Sequence, residues 1–167
     1  AVALTGRSGE KLEEYKKLLL KLNNEVVAAA PEDLLINTHV CRGNYHSTFF
    51  SSGAYDSVAQ LLFGEENVNA YYLEYDDERS GGFSPLAKVT GDKKVVLGLV
   101  TTKTSELEDR EKVINRIHQA AKYIPLDRLY LSPQCGFASC EIGNKLTEEE
   151  QWEKLRLVKE IAEEVWG

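Results

Sequence analysis

Apolar residues recur at intervals of three and four through residues 9–30. Leu12, Tyr15, Leu18 and Leu19 fall on one face with Lys and Glu between them, which predicts an amphipathic helix ended by Pro31 and Asp33. The period then changes. Residues 34–40, LLINTHV, form a short apolar run of strand length, and residues 54–63, AYDSVAQLLF, return to a short helical pattern. Residues 70–76, AYYLEYD, predict an aromatic-rich strand, followed by the loop DERSGGFSP with room for a turn of helix before Gly91. Residues 94–100, KVVLGLV, are almost unbroken apolar sequence, the pattern of a parallel strand covered on both faces. Helical spacing resumes over residues 109–123 through Val113, Ile117, Ala120 and Ala121, and residues 128–133, RLYLSP, predict a fourth strand. Thr147 followed by Glu150 is a capping-box signature. It opens a last helix whose apolar stripe runs through Trp152, Leu155, Val158, Ile161, Ala162 and Val165.

Strands alternating with helices predict an α/β fold with a parallel sheet and right-handed crossovers. The chain reads as a single domain, residues 1–167, with no internal repeat and no low-complexity linker. Four strands leave two architectures open, an open sheet or part of a (β/α)8 barrel, and the pattern alone does not choose between them.

Composition narrows the partners. With 167 residues the chain is long enough for one well-filled core. A net charge of −7 argues against nucleic acid as the main partner, since phosphate binding needs clustered Lys and Arg. No apolar run is long enough to span a bilayer and no signal-peptide pattern opens the chain, so a cytoplasmic location is expected. Three cysteines do not make a disulfide framework. They are packing residues, metal ligands or nucleophiles. The absence of Met and the opening AVALTGRSGEKLEEYKK suggest a chain that begins inside a longer protein.

The chemistry-bearing residues sit at predicted strand ends. Side chains alternate along a strand, so His39 and Cys41 share a face at the end of the first. Glu74 closes the second, and SPQCG places Cys135 just past the fourth. In parallel α/β folds the C-terminal strand ends carry the ligand sites. Imidazole, thiolate and carboxylate together suit zinc. Two thiolates, a carboxylate and a neutral imidazole around Zn2+ leave a charge of about −1, better matched to holding a substrate thiol as thiolate than to activating water. The plain alternative is that each residue is structural: a small buried thiol, a packed imidazole, a solvated carboxylate. His46 and His118 read as ordinary loop and helix residues, and Cys140 as structural. Asp76, Asp77, Glu78 and Arg79 form either a solvated turn, the favoured reading, or a substrate rim. Gly81 and Gly82 lack a phosphate-binding fingerprint, and Ser132 is not in a nucleophile elbow.

Four blocks, THVCRGNY, YYLEYDDERSGGFSPL, VVLGLVTTKT and LYLSPQCGFAS, occur in this order. Together they resemble the C-terminal catalytic domain of cobalamin-independent methionine synthase, and most closely its shorter single-domain relatives. The resemblance covers about residue 5 to residue 166. It implies the second half, strands five to eight, of a (β/α)8 barrel. It also implies a zinc ion held by His39, Cys41, Glu74 and Cys135, with Glu74 the ligand that yields to the incoming sulfur. The implied reaction is methyl transfer from 5-methyltetrahydrofolate to the thiol of homocysteine, giving methionine. The family's folate contacts lie mostly on the earlier half of the barrel, so the chain alone is expected to be inactive. The edges at residues 34–40 and 128–133 are expected to be covered by the missing half or by another copy. A related thiol alkyltransferase with another donor or acceptor, and a purely structural zinc module, are the competing functions.

Overall fold

The computed structural model describes residues 5–167; residues 1–4 of the expected domain lie outside the described residues. In chain order the elements are helix α1 (Gly9–Ala28), strand β1 (Asn37–Val40), helix α2 (Ala59–Glu65), strand β2 (Ala70–Glu74), strand β3 (Lys94–Val100), helix α3 (Arg110–Ala120), strand β4 (Leu129–Pro133) and helix α4 (Glu148–Trp166). Short 3-10 turns occupy Glu78–Ser80, Ser84–Lys88 and Leu126–Arg128.

Among the described residues the four strands form one parallel sheet in the order β1-β2-β3-β4. Each strand pairs with the next in sequence, without the reversal that marks a doubly wound sheet. That is the order of a (β/α)8 barrel, and the chain is a four-strand arc of one. The register sets His39 beside Tyr72 and Glu74 beside Gly98, with Gly98 in turn beside Ser132.

One face of the arc carries the core. Tyr71, Leu73, Val95, Leu97, Leu99 and Leu129 pack with Phe63, Ile114, Ile117 and Ile161 of the helices. An aromatic chain adds to it, with ring centroids 5.1 Å apart for Tyr55 and Tyr75 and 4.7 Å for Tyr75 and Phe83. On the other face Ala70, Tyr72, Val96, Tyr130 and Ser132 line an open hollow.

Several boundaries differ from the sequence pattern. The first strand starts at Asn37, not at residue 34, because its ladder partner begins at Ala70; Leu35 precedes it and is 75% exposed. The second helix starts at Ala59, because Tyr55 is drawn into the core with its hydroxyl donating to the Glu74 carbonyl. The apolar stripe of α1 is not buried: Leu18 and Leu19 are 50% and 44% exposed. Val27 packs against the core, and polar bonds add to the attachment of this helix, Lys16 to Ser57 O, Asn23 to Glu66 and Asn24 to Glu65 O. On α4 the capping box of Thr147 and Glu150 forms as expected. Trp152 stays half exposed, its indole donating to Glu148, and the fully buried residues are Ile161 and Lys154. The Lys154 ammonium donates to Glu106 O and pairs with Glu108, fastening the loop after β3 to α4.

Candidate metal centre

β1 and β4 are the two edges of the sheet, separated by two strands. At about 4.8 Å per strand their axes lie roughly 14 Å apart. Their C-terminal loops nevertheless bring three donor atoms together. Cys135 Sγ lies 3.2 Å from Cys41 Sγ and 3.2 Å from His39 Nε2. All three ligand atoms lie within 4.8 Å of one another, and they form the one such His/Cys/carboxylate group among the described residues. His39 reaches it from the open face of β1, and both cysteines are half buried.

The electrostatics of the trio are those of a proton shared too widely. The Cys135 thiol donates to Cys41 Sγ, which pulls the Cys41 thiol down to about 5, with His39 and the Gly43 N–H adding to the effect. Cys135 is pushed well above the usual thiol range, first by that bond to Cys41 and then by burial. The contact with Cys41 holds the His39 imidazole above its ordinary value. A thiolate, a neutral thiol and an imidazole thus point at one spot.

Glu74 stands beside this group but is not part of it. Its carboxylate is fully buried. One oxygen accepts the Arg42 N–H at 2.6 Å; the other pairs with Arg79 at 3.0 Å and Lys103 at 3.4 Å. Burial alone would raise its pKa, but the Arg42 N–H and the Lys103 and Arg79 charges outweigh burial and hold it low. The favoured solvated turn at residues 76–79 is corrected in part. The Asp76 side chain is buried against Lys103, and Arg79 spans Glu74, Asp76 and Asp77.

Residues without a sequence-level role build the frame. Asn44 donates to Gly136 O and to Ser139 Oγ. Asn144 donates to Asn44 Oδ1 and to Thr102 O, and accepts from Ser47 N. His46, expected to be an ordinary loop residue, packs its Nδ1 against Gly143 O at 3.1 Å and is held at φ 43°. A signal existed: both asparagines follow a glycine, in CRGNY and EIGNK, each a turn motif downstream of a cysteine. Gly43 has φ 103°, and a Cβ there would lie 2.6 Å from Phe50 N. Cys140 is half buried outside the donor group.

The trio fits a tetrahedral ion. Bond lengths of about 2.0–2.3 Å place donors roughly 3.5–3.8 Å apart. The observed 3.2 Å separations need to open by only a few tenths of an ångström. A cavity of about 500 Å³ lined by His39, Tyr72, Ser132, Gln134 and Cys135 adjoins the donors and leaves one side open. Two sulfurs and an imidazole with an open side are the donor set of a zinc site that accepts a further ligand.

A family model described as the catalytic domain of cobalamin-independent synthase matches residues 13–164. The uncharacterized protein YxjG of Bacillus subtilis is 52% identical over 159 residues, covering 95% of this chain and 42% of that protein. The crystal structure of a putative vitamin-B12 independent methionine synthase from Listeria monocytogenes superposes with a TM-score of 0.72 at 37% identity, covering 97% of this chain and 43% of that one. A B12-independent methionine synthase from Shewanella sp. W3-18-1, solved with selenomethionine, shows the same fold at 21% identity and a TM-score of 0.72, over 92% of this chain and 44% of that one. The chain spans about two fifths of the length of the relatives it matches.

Proposed function

The chain belongs to the family of the cobalamin-independent synthase catalytic domain, and we propose that it supplies the thiol-activating part of a zinc-dependent methyltransferase of the methionine synthase type. The observation that carries this reading is the convergence of His39, Cys41 and Cys135 beside an open cavity. In this reading these three would hold the zinc, and Glu74, which in the metal-free protein stands outside the trio on Arg42, Arg79 and Lys103, would be the fourth ligand that yields to substrate sulfur. The chemistry a zinc ion supplies at such a site is Lewis acidity, under which a coordinated thiol loses its proton and remains a nucleophilic thiolate.

The chain's own residues prepare that step. The Cys135 thiol and the Gly43 N–H keep Cys41 anionic and ready to coordinate. The Arg42 N–H and the Arg79 and Lys103 charges keep Glu74 ionised beside the donors. The homocysteine sulfur pair forms the new S–C bond to the methyl of a 5-methyltetrahydrofolate-type donor. The N5–C bond breaks, and the nitrogen keeps the pair and takes a proton. Residues 1–167 are one domain, the C-terminal half of the barrel, acting in the cytoplasm. The other half covers the edges of β1 and β4 and brings most of the donor site, so the isolated chain does not turn over.

Zinc X-ray absorption with and without homocysteine tests the reading. Two sulfur neighbours rising to three on adding the thiol is the expected result. Zinc with an unchanged shell would mean a structural ion, and a protein without zinc would overturn the proposal. A related thiol alkyltransferase with another donor or acceptor is a second reading. Competition between homocysteine and other small thiols for the third sulfur position separates the two.

A further inference from the structure

The donor trio poses a mechanical question that the sheet does not answer. Cys41 follows one edge strand and Cys135 the other, 94 positions apart in the chain. No ladder bond joins β1 to β4 among the described residues, so loop side chains must bridge the rim. Most of the bridging runs through two asparagines.

Asn44 lies three residues after Cys41, and its amide donates at 2.9 Å to the carbonyl of Gly136, the neighbour of Cys135. Its Oδ1 accepts the Asn144 amide at 3.0 Å. That same amide donates at 2.7 Å to Thr102 O in the loop after β3, and Asn144 Oδ1 accepts from Ser47 N at 3.0 Å. Asn144 therefore joins the loops after β1, β3 and β4 through one planar group. Thr102 passes the restraint on, because its hydroxyl accepts from the buried Gln134, adjacent to Cys135. Ser47 Oγ accepts from Lys145 N, and His46 meets Gly143 O, closing the seam on its outer side.

We propose that Asn144, acting with Asn44, is the positioning residue that sets the Cys41–Cys135 separation and so preassembles the metal donors. The asparagines touch neither ion nor substrate; they fix the backbone on which the thiols are mounted. The pair rests on the proposed zinc role only for its consequence, since the placement of the thiols is a property of the metal-free protein.

The test uses two readouts in the Asn144→Ala and Asn44→Ala proteins, both in a Cys140→Ser background. The first is affinity for Zn2+ and for Co2+, by chelator competition and by the thiolate-to-cobalt absorption band. Groups that orient metal ligands typically contribute about 10- to 100-fold in affinity, and a loss of that size is expected in each variant. In the double variant the losses are expected to be less than additive, because one hydrogen bond is shared. The second readout needs no metal. In a glutathione redox buffer, Cys41 and Cys135 exchange with oxidised glutathione to give one protein disulfide and two reduced glutathiones. The effective concentration read from that equilibrium is expected to fall by a similar factor. A lower melting temperature with both readouts unchanged would make Asn144 merely structural and overturn the inference. If the parent protein fails to hold metal while the thiol equilibrium still responds to Asn144→Ala, the zinc reading falls and the positioning role stands. Should Asn144→Ala fail to fold, Asn44→Ala reports on the same seam, and unchanged values there overturn the inference.

Discussion

Replacing Gly98 by alanine probes how tightly the strand ends beneath the site are packed. Gly98 lies in β3 between Glu74 of β2 and Ser132 of β4, where the β3–β4 register shifts before Val100. A Cβ there would sit 2.7 Å from Gln134 Cα, 2.8 Å from Leu73 O and 3.3 Å from Gln134 Cβ. Carbon–carbon contacts settle at about 3.5–4.0 Å, so backbone on both sides must retreat by roughly 0.8 Å. No flexible side-chain tip is available to absorb the shift. Overpacking of this kind costs about 1–3 kcal/mol, and removing the glycine's excess freedom returns about 0.5–1 kcal/mol. The difference spans about 0–2.5 kcal/mol, and because backbone atoms stand in the way the upper part applies, a destabilisation of about 1–2 kcal/mol. In a domain of this size that lowers the melting temperature by roughly 2–8 °C. Urea unfolding of the metal-free protein should show a lower midpoint with unchanged slope. Because Gln134 is pushed next to Cys135, metal affinity should drop as well. A Gly98→Ala protein as stable as the parent, with unaltered metal binding, would refute the close-packing argument and the coupling to the thiol.

Lys154→Met removes a fully buried ammonium from Glu106 O and Glu108; a loss of about 3 kcal/mol is expected, the low end for a broken buried pair because Glu108 keeps some exposure, and urea titration measures it. Glu66 is buried with Oε2 unpartnered, and burial raises its pKa against the Asn23 bond and the Lys93 charge. The native state therefore holds this proton more tightly than the unfolded chain, so stability from this group is present below the unfolded value near 4.3 and is lost as pH rises through the higher folded value. The stability difference between the parent and Glu66→Gln should tilt accordingly from about pH 4 upward, and a flat difference would contradict it. Thr147→Ala breaks the capping box, in which Thr147 accepts from Glu150 N and Glu150 accepts from Thr147 N; a cost of about 1 kcal/mol is expected from thermal melts.

The legible and illegible features separate by the range of the forces behind them. The run at residues 94–100 announces β3 because that strand lies inside the sheet between β2 and β4, and Val95–Val100 are all buried. The nearness of His39 and Cys41 follows from strand alternation, and that of Cys135 from the rule that parallel strands carry chemistry at their C-terminal ends; Glu74, expected by the same rule, stands beside the trio and not in it. What local patterns miss is set by distant partners. Leu34 and Leu35 look like strand, but whether they pair depends on where β2 begins. The stripe on α1 is apolar whether or not anything packs on it. Lys154 lies in the middle of a helix whose pattern gives no hint that Glu108 neutralises it. Asn44 and Asn144 are 100 residues apart, and their shared bond leaves no periodic trace in either loop.

That separation also bears on how the edges of the sheet hold together. An ion gripped by Cys41 and Cys135 is a cross-link between the first strand and the last, closing a chain loop of 94 residues. By the chain-entropy relation, a covalent bridge over a loop of about 100 residues removes about 4.7 kcal/mol worth of unfolded-state freedom. A metal tether works in the same sense for as long as it stays bound. Stripping the ion would then do more than silence the thiols. It would leave the two ends of the arc joined by the asparagine seam alone, and amide hydrogens of β1 and β4 would begin to exchange before those of β2 and β3.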